Sequence, residues 1–381
     1  MFFETSNSGL NQQLEAAIQH LADLHRTTKL DTRDAPGRVK FRKSSVNQND
    51  AFGLERIIGD RNLFEINYLL QGARASKAVC RIRIRDRNGN PIGFGTGFLI
   101  SPGLLLTNNH VLKSKGSAAN STAEFDVELD SFFVAKKPRK FHLRPDQLFF
   151  TDKALDYTFV RVAARAVDDF PLADFGHLPL VRTSGKAIGG EFVSIIQHPE
   201  GKLKKLVIRD NQVVKIDDCD ESCENVFIHY TSDTEPGSSG APVLNDQWDV
   251  VALHHKAIPK FAEGTDDVLA KSGDVWEEES LGYEEIDWLA NEGIRVSAIF
   301  DSLNRHRRRD RRAALVLEEI QTENRQNSRL GVSLQASGEL LPNAAEAPAF
   351  ETTHFDGVGW LQSRLSHDCN SAARSGWCLG G

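Results

Sequence analysis

The sequence predicts an all-β protein of the barrel type over most of its length, with short helical extensions at both ends. Of its 381 residues, 40% are hydrophobic and 29 are glycine. Short apolar runs separated by turn residues recur through the central part, which is the pattern of a β-barrel rather than of a helical domain. A chain of this length can bury a large core and still leave segments outside it.

The segment GFGTGFLISPGLLLTNNHVL, residues 93–112, predicts two strands joined by a turn at residues 101–103. The second strand is expected to end at His110. A single histidine at a strand end more often has a structural role than a chemical one, so this segment alone decides nothing.

The segment ALDYTFVRV, residues 154–162, predicts a strand with Asp156 immediately before it. An isolated aspartate in this place would be interpreted as a strand cap.

The segment TSDTEPGSSGAPVLN, residues 231–245, places Ser239 in a glycine-rich turn that leads into an apolar strand. Pro, Gly and Ser also mark ordinary loops. Such a turn can nevertheless display a serine nucleophile, because glycine lets the backbone amides converge on an oxyanion. The expected amide donors are Gly237 and Ser239.

In the order His110, Asp156, Ser239, the three segments follow the chain order of the chymotrypsin class. With RIIGDRN near residue 56 and VVALHH after the serine, they resemble trypsin-like serine peptidases of the bacterial glutamyl endopeptidase branch. The resemblance covers about residues 55–300. It implies a chymotrypsin-like fold of two six-stranded antiparallel β-barrels, and a serine endopeptidase with His110 as base, Asp156 as its orienting partner and Ser239 as nucleophile.

The resemblance divides the chain into three parts. Residues 1–55 form a helical N-terminal extension, residues 56–300 the trypsin-like serine peptidase domain, and residues 301–381 a basic helix followed by a largely disordered tail. Residues 10–26 carry leucine and isoleucine at helical spacing, which predicts an amphipathic helix packed on the barrel. The run RHRRRDRR, residues 305–312, is expected to be a solvated helical face.

Two features of the specificity site point in opposite directions. Asp233 lies six residues before Ser239, where trypsin-like enzymes carry the acid that selects Lys or Arg, with Thr234 beside it. His254 matches the histidine with which glutamyl endopeptidases meet a substrate carboxylate. We expect cleavage after acidic residues, while a loop role for Asp233 and a core role for His254 stay open.

No cofactor or metal is expected. The 12 histidines include no HExxH, and the 5 cysteines form no CxxC pair of zinc type. An odd cysteine count argues against a disulfide framework, although Cys219 and Cys223 could close a small loop.

The net charge of −7 and pI near 6.0 give no drive toward nucleic acid or an anionic membrane. The expected partner is a protein or peptide substrate, with a further protein partner for the terminal extensions. Because the N-terminus lacks a secretory signal pattern, we expect a cytoplasmic location.

Two alternative functions stay open at this point. The protein could be a signalling or defence protease that acts on one chosen protein when a partner triggers it, or an inactive homologue that serves as a binding module. Residues 56–59, RIIG, also resemble the cleavage site of zymogens, but Ser238 stands where trypsin-style activation needs an acid to pair with the new amine.

Overall fold

The computed structural model describes residues 8–24, 66–183, 185–208, 211–216, 226–278 and 280–329. The possible cleavage site at residues 56–59, the Cys219 and Cys223 pair and the predicted tail beyond residue 329 lie outside the described residues. Within these ranges no helix combines the length and apolar character that crossing a bilayer requires.

Five α-helices are found in the described part of the chain, besides three short 3-10 helices. They are α1 (Ser8–Leu24), α2 (Asn67–Lys77), α3 (Lys115–Asn120), α4 (Val296–His306) and α5 (Arg311–Arg329). The helix predicted over residues 10–26 is therefore present as α1.

The first half of the domain is a seven-stranded antiparallel sheet in the order β5-β4-β1-β2-β3-β7-β6. Its strands are β1 (Val79–Arg85), β2 (Pro91–Ser101), β3 (Leu104–Thr107), β4 (Thr122–Phe125), β5 (Arg139–His142), β6 (Phe149–Asp152) and β7 (Tyr157–Arg161). The strand, turn and strand predicted over residues 93–112 correspond to β2 and β3, although β3 ends three residues before His110.

The second half is another seven-stranded antiparallel sheet, in the order β10-β11-β14-β13-β12-β8-β9. Its strands are β8 (Ser194–Gln197), β9 (Lys205–Val207), β10 (Val213–Ile216), β11 (Phe227–Tyr230), β12 (Pro242–Leu244), β13 (Val250–Pro259) and β14 (Trp288–Arg295). The predicted all-β architecture is confirmed, with seven strands in each sheet where six were expected.

One apolar core joins the two sheets. It fills the first sheet with residues such as Phe98, Leu105 and Phe159, and it continues into the second sheet through Leu244 and Leu253. The faces of the two sheets that meet are therefore fixed against each other by burial, which is the dominant favourable term in folding. Loops that reach this boundary from either sheet are held in a constant relation.

The terminal helices belong to the same packed unit. Leu14 of α1 is fully buried against Val214, Ile258 and Ala290 of the second sheet. At the other end, α4 and α5 contribute to the core of the first sheet through their buried faces, which include Ile299, Leu303, Val316, Leu317 and Ile320.

The basic run is divided between two helices instead of lying on one continuous helix. Helix α4 ends at His306 and α5 begins at Arg311. The Asp310 carboxylate accepts a hydrogen bond from the backbone N–H of Arg312 at 2.9 Å. A side chain that caps the next helix in this way competes with continuation of the preceding one.

We expect Leu317→Ala to lower the free energy of unfolding by about 2–5 kcal/mol, because it leaves a cavity in the shared core. Leu315→Ala is the matched control on the same helix, since Leu315 is 41% exposed and Leu317 3%. The control should change stability by less than about 1 kcal/mol. Urea unfolding of both variants checks this, and equal small effects would contradict the packing of α5 into the core.

Candidate active site

The pairing of β3 with β7 brings His110 to Asp156. In this antiparallel pair Leu104 lies opposite Arg161 and Thr107 opposite Thr158. The residues that follow β3 must therefore meet the residues that precede β7, and these are the places of His110 and Asp156.

The Asp156 carboxylate holds His110 by two contacts. Asp156 Oδ1 accepts the backbone N–H of His110 at 2.8 Å, and Asp156 Oδ2 lies 2.6 Å from His110 Nδ1. The Asn108 side chain donates to the backbone carbonyl of Asp156 at 2.9 Å. Asp156 has a positive φ of 50°, in the left-handed region that aspartate tolerates better than most residues. The ring orientation of His110 is thus fixed by its own backbone and by one carboxylate.

The turn that carries Asp156 is fixed by helix α4. Asp152 Oδ1 accepts the backbone N–H groups of Ala154 and Leu155 at 2.9 and 3.2 Å. Its other oxygen accepts the Ser302 hydroxyl at 2.6 Å, and Ser302 in turn accepts the Tyr157 hydroxyl at 2.9 Å. The residues on both sides of Asp156 are therefore anchored to the C-terminal helical segment.

Asp156 is an ionised carboxylate in a largely buried place. Burial by itself would raise the pKa of Asp156, but hydrogen bonds and charge from His110 and His255 outweigh it and lower the pKa to about 2. The group therefore carries its negative charge throughout the neutral range.

Ser239 lies in a turn with a glycine on each side, Gly237 and Gly240, where the backbone conformation and the lack of space exclude other residues. Gly237 and Gly240 have φ values of 101° and 89°. A Cβ atom on Gly240 would also collide with the backbone carbonyl of Thr96, and one on Gly237 would lie 2.7 Å from the carbonyl of His198. Gly240 is therefore pressed against the first sheet and Gly237 against the segment that follows β8, with no space for a side chain at either position.

Thr96 connects this turn to the first sheet. Its backbone N–H donates to the Ser239 carbonyl at 2.8 Å, and its hydroxyl donates to the Gly237 carbonyl at 2.8 Å. The Thr96 hydroxyl also accepts the backbone N–H of His198 at 3.0 Å. The sequence interpretation assigned Thr96 no role, although it is the central residue of the GTG motif in residues 95–97.

The structure fixes His110 to Asp156 and the Ser239 turn to Thr96. Among the contacts of the described residues, no hydrogen bond joins the Ser239 hydroxyl to His110. Within the same ranges, neither the Gly237 N–H nor the Ser239 N–H donates to a protein acceptor. Two amides of the Ser239 turn, one on each side of the Ser238 amide, thus have no hydrogen-bond acceptor among the described residues.

The three predicted specificity residues differ in their surroundings. Asp233 is exposed, and its backbone carbonyl accepts the Gln197 side chain at 2.9 Å. The Thr234 hydroxyl donates to Asn291 Oδ1 at 2.6 Å.

His254 is buried, and its Nδ1 lies 2.8 Å from the Tyr230 hydroxyl. Burial, with the nearby His255 and His110, lowers the pKa of His254 to about 3. His254 is therefore a neutral imidazole at physiological pH.

The next residue, His255, was not predicted as part of the site. Its Nδ1 lies 2.8 Å from Asp156 Oδ2, the same oxygen that contacts His110. The spacing of these three side chains would suit a metal ion as well, but each imidazole nitrogen facing Asp156 is at hydrogen-bond distance from it. The contacts in place therefore account for the cluster without an ion.

His198, behind the Ser239 turn, predicts an acid sensitivity of the fold. Burial lowers the pKa of this imidazole from 6.5 to about 3. The unfolded chain consequently binds one more proton than the folded chain between these pH values, so stability falls as the pH falls through this window, by about 1.4 kcal/mol per pH unit.

We expect His198→Asn to reduce this pH dependence, because the amide can still donate to the Lys202 carbonyl, which lies 3.0 Å from His198 Nδ1, but cannot titrate. Urea unfolding at several pH values from neutral to about 4 measures the slope. His142→Asn, at an exposed histidine of β5, is the control and should keep the wild-type slope. An unchanged slope in His198→Asn would contradict the prediction.

Comparison with known proteins identifies a domain within the chain. Residues 95–253 match the family described as trypsin-like peptidase domain. An uncharacterized protein of Sinorhizobium fredii, y4fB, is 42% identical over 257 residues, which are 64% of this chain and 38% of that protein. The secreted RxLR effector protein 73 of Plasmopara viticola is 34% identical over 193 residues, 48% of this chain and 45% of the effector. The chain thus spans less than half the length of either relative.

Among solved structures, the active form of the Rv3671c protease from M. tuberculosis has a TM-score of 0.39 and 17% identity, covering 63% of this chain and 86% of that one. An inactive form of the same protease has a TM-score of 0.38 and 16% identity, covering 63% and 95%. The match to the trypsin-like peptidase family is confined to residues 95–253, which include His110, Asp156 and Ser239.

Proposed function

We propose that the protein is a serine endopeptidase in which His110, Asp156 and Ser239 form the catalytic triad. The observation that carries the proposal is that the Asp156 carboxylate contacts His110 twice, at the ring Nδ1 at 2.6 Å and at the backbone N–H at 2.8 Å. A base that must accept and return a proton needs one tautomer and one orientation, and this arrangement supplies both.

In the proposed reaction, the Ser239 hydroxyl attacks the carbonyl carbon of the scissile peptide while His110 Nε2 takes its proton. Asp156 stays ionised and stabilises the imidazolium that forms. The hydrogen bond between the Ser239 hydroxyl and His110 is expected to form when substrate is bound, since such contacts are often long in free enzymes.

The oxyanion of the tetrahedral intermediate is assigned to the amides of Gly237 and Ser239. Both are without a protein acceptor within the described residues, and the positive φ of Gly237 belongs to the turn that presents them. Preorganised donors of this kind act most strongly on charge that develops in the transition state. His110 then protonates the leaving amine, and water hydrolyses the acyl-enzyme with the same base.

Preference for an acidic residue before the scissile bond is part of the proposal. If the Tyr230 hydroxyl donates to Nδ1 of the neutral His254, the ring carries its proton on Nε2. The Nε2–H group would then donate a hydrogen bond to a substrate carboxylate. Asp233 is exposed, and an exposed charge is screened by solvent and salt, so it selects a basic side chain less strongly than a buried acid would.

Ser239→Ala is expected to reduce peptide hydrolysis by at least about 10³-fold, because the atom that forms the acyl bond is lost. His110→Ala should do nearly the same, and the double variant should be scarcely worse than either, since triad members act as a unit. The measurement is cleavage of a peptide library read by mass spectrometry, together with labelling by a fluorophosphonate probe. Ser272→Ala, at an exposed serine, is the matched control. Wild-type turnover in Ser239→Ala would refute the triad.

For specificity, we expect peptides with Glu before the cleaved bond to be cut faster than otherwise identical peptides with Gln or Lys. His254→Ala should raise KM for the Glu peptide by about tenfold and flatten the preference, because a charge-assisted hydrogen bond is lost. His254→Gln, which keeps an N–H donor, should retain part of it. If Asp233→Ser instead destroys cleavage after Lys or Arg, the preference is basic, and cleavage only after large apolar residues would refute both assignments.

A further inference from the structure

His255 lies beside His254 on β13, at an irregularity of the sheet. Successive side chains of a strand point to opposite faces, so two adjacent histidines lie in different surroundings. The register between β13 and β14 shifts between His254 and Lys256, so that the bulge falls on His255. Bulges re-aim side chains and are common next to active sites. This bulge directs His255 toward the boundary between the two sheets.

His255 shares the Asp156 carboxylate with His110. Asp156 Oδ2 lies 2.8 Å from His255 Nδ1 and 2.6 Å from His110 Nδ1. The ring of His255 also stacks on Phe227, with centroids 5.9 Å apart and planes at 11°. A half-buried ring held on one face by an aromatic side chain and at one nitrogen by a carboxylate has little freedom to turn.

The other nitrogen of His255 meets a second carboxylate. His255 Nε2 lies 3.2 Å from Glu292 Oε1, and the other oxygen of Glu292 lies 3.0 Å from His229 Nε2. Both His229 and Lys256 are opposite Glu292 in the sheet, and Lys256 Nζ is 3.2 Å from Glu292 Oε1. Imidazoles and carboxylates therefore alternate in the order His110, Asp156, His255, Glu292, His229, with an ion-pair contact rather than a hydrogen bond between His255 and Glu292.

The charges around His255 favour its cationic form. The titratable groups that face it or its two carboxylate partners are His110, Asp156, His229, His254, Lys256 and Glu292. Burial opposes a charge on His255, but hydrogen bonds and charge from Asp156 and Glu292 outweigh it and raise the pKa of His255. Burial likewise opposes ionisation of Glu292, yet His229, His255 and Lys256 lower the pKa of that carboxyl. The surroundings thus hold an imidazolium between two carboxylates.

We propose that His255 is a positioning residue of the peptidase, which links the catalytic carboxylate Asp156 to Glu292 of the second sheet and places a positive charge beside the pair formed by His110 and Asp156. This inference rests on the proposed function. It gives His255 two separable effects. Its hydrogen bond fixes the orientation of Asp156, and its positive charge opposes the uptake of a further proton by the pair.

Two substitutions separate these effects. His255→Ala removes both the hydrogen bond and the charge, whereas His255→Asn places an amide N–H near the position of Nδ1 and carries no charge. The readout is the second-order rate of fluorophosphonate labelling of Ser239 as a function of pH, with Ser239→Ala as the blank. Labelling reports activation of the serine without depending on which peptide the enzyme prefers.

For His255→Ala we expect the labelling rate at its optimum to fall by about tenfold or more, because a hydrogen bond to a charged group is lost. The acid limb of the profile should move up by about one pH unit, because the positive charge beside the pair formed by His110 and Asp156 is lost. For His255→Asn we expect a rate at the optimum within about threefold of wild type, with the same shift of the acid limb. His142→Ala, at an exposed histidine, should match wild type in both.

The outcomes distinguish this inference from the function on which it rests. If the wild type is not labelled and cleaves no peptide, the proposed function fails. If the wild type is labelled, and His255→Ala keeps both the wild-type rate and the wild-type acid limb, the positioning role is overturned. Should His255→Ala fail to fold, His255→Asn decides: an unshifted acid limb overturns the role, and a shifted limb with a retained rate supports it.

Discussion

A buried negative charge at Asp156 is the constraint on which the arrangement around the site depends. An ionised carboxylate without partners is costly inside a protein, so its surroundings must supply donors and positive charge. They come from two residues: His110, through its backbone N–H and its ring, and His255, through its ring. The charge that the proposed chemistry needs is thus also the charge around which the two sheets are joined.

Thr96 provides the second connection between the sheets. Its backbone and hydroxyl hold the carbonyl groups of Ser239 and Gly237, while the Thr107 hydroxyl donates to the Thr96 carbonyl at 2.7 Å. Carbonyl groups of the Ser239 turn are used in these bonds, which leaves the amides of that turn pointing elsewhere. A turn with two glycines at positive φ would otherwise have many conformations, and these bonds select one of them.

The helices outside the barrels have a structural part in the site. Helix α4 reaches the turn before Asp156 through Ser302, and α5 is tied to β7 because Arg161 donates two hydrogen bonds to Glu319, at 2.9 and 2.7 Å. Helix α4 spans residue 300, the predicted end of the peptidase domain, and both α4 and α5 pack against the first sheet. A helical face that looks amphipathic in sequence needs a surface to cover, and here that surface is the first sheet.

The sequence by itself determined the all-β architecture and the strands next to His110, Asp156 and Ser239, because alternation and turn residues are local properties of the chain. Motif order predicted these three residues as a triad, and that assignment stays a prediction. It did not determine the place of His255, which meets Asp156 across 99 residues of chain through a bulge that no periodicity reveals. It also left Thr96 without a role, since a threonine in a strand becomes a connector only when the second sheet approaches it. Tertiary structure decided these contacts because they follow from strand register and from the packing of one sheet against the other, both of which are set by the whole fold.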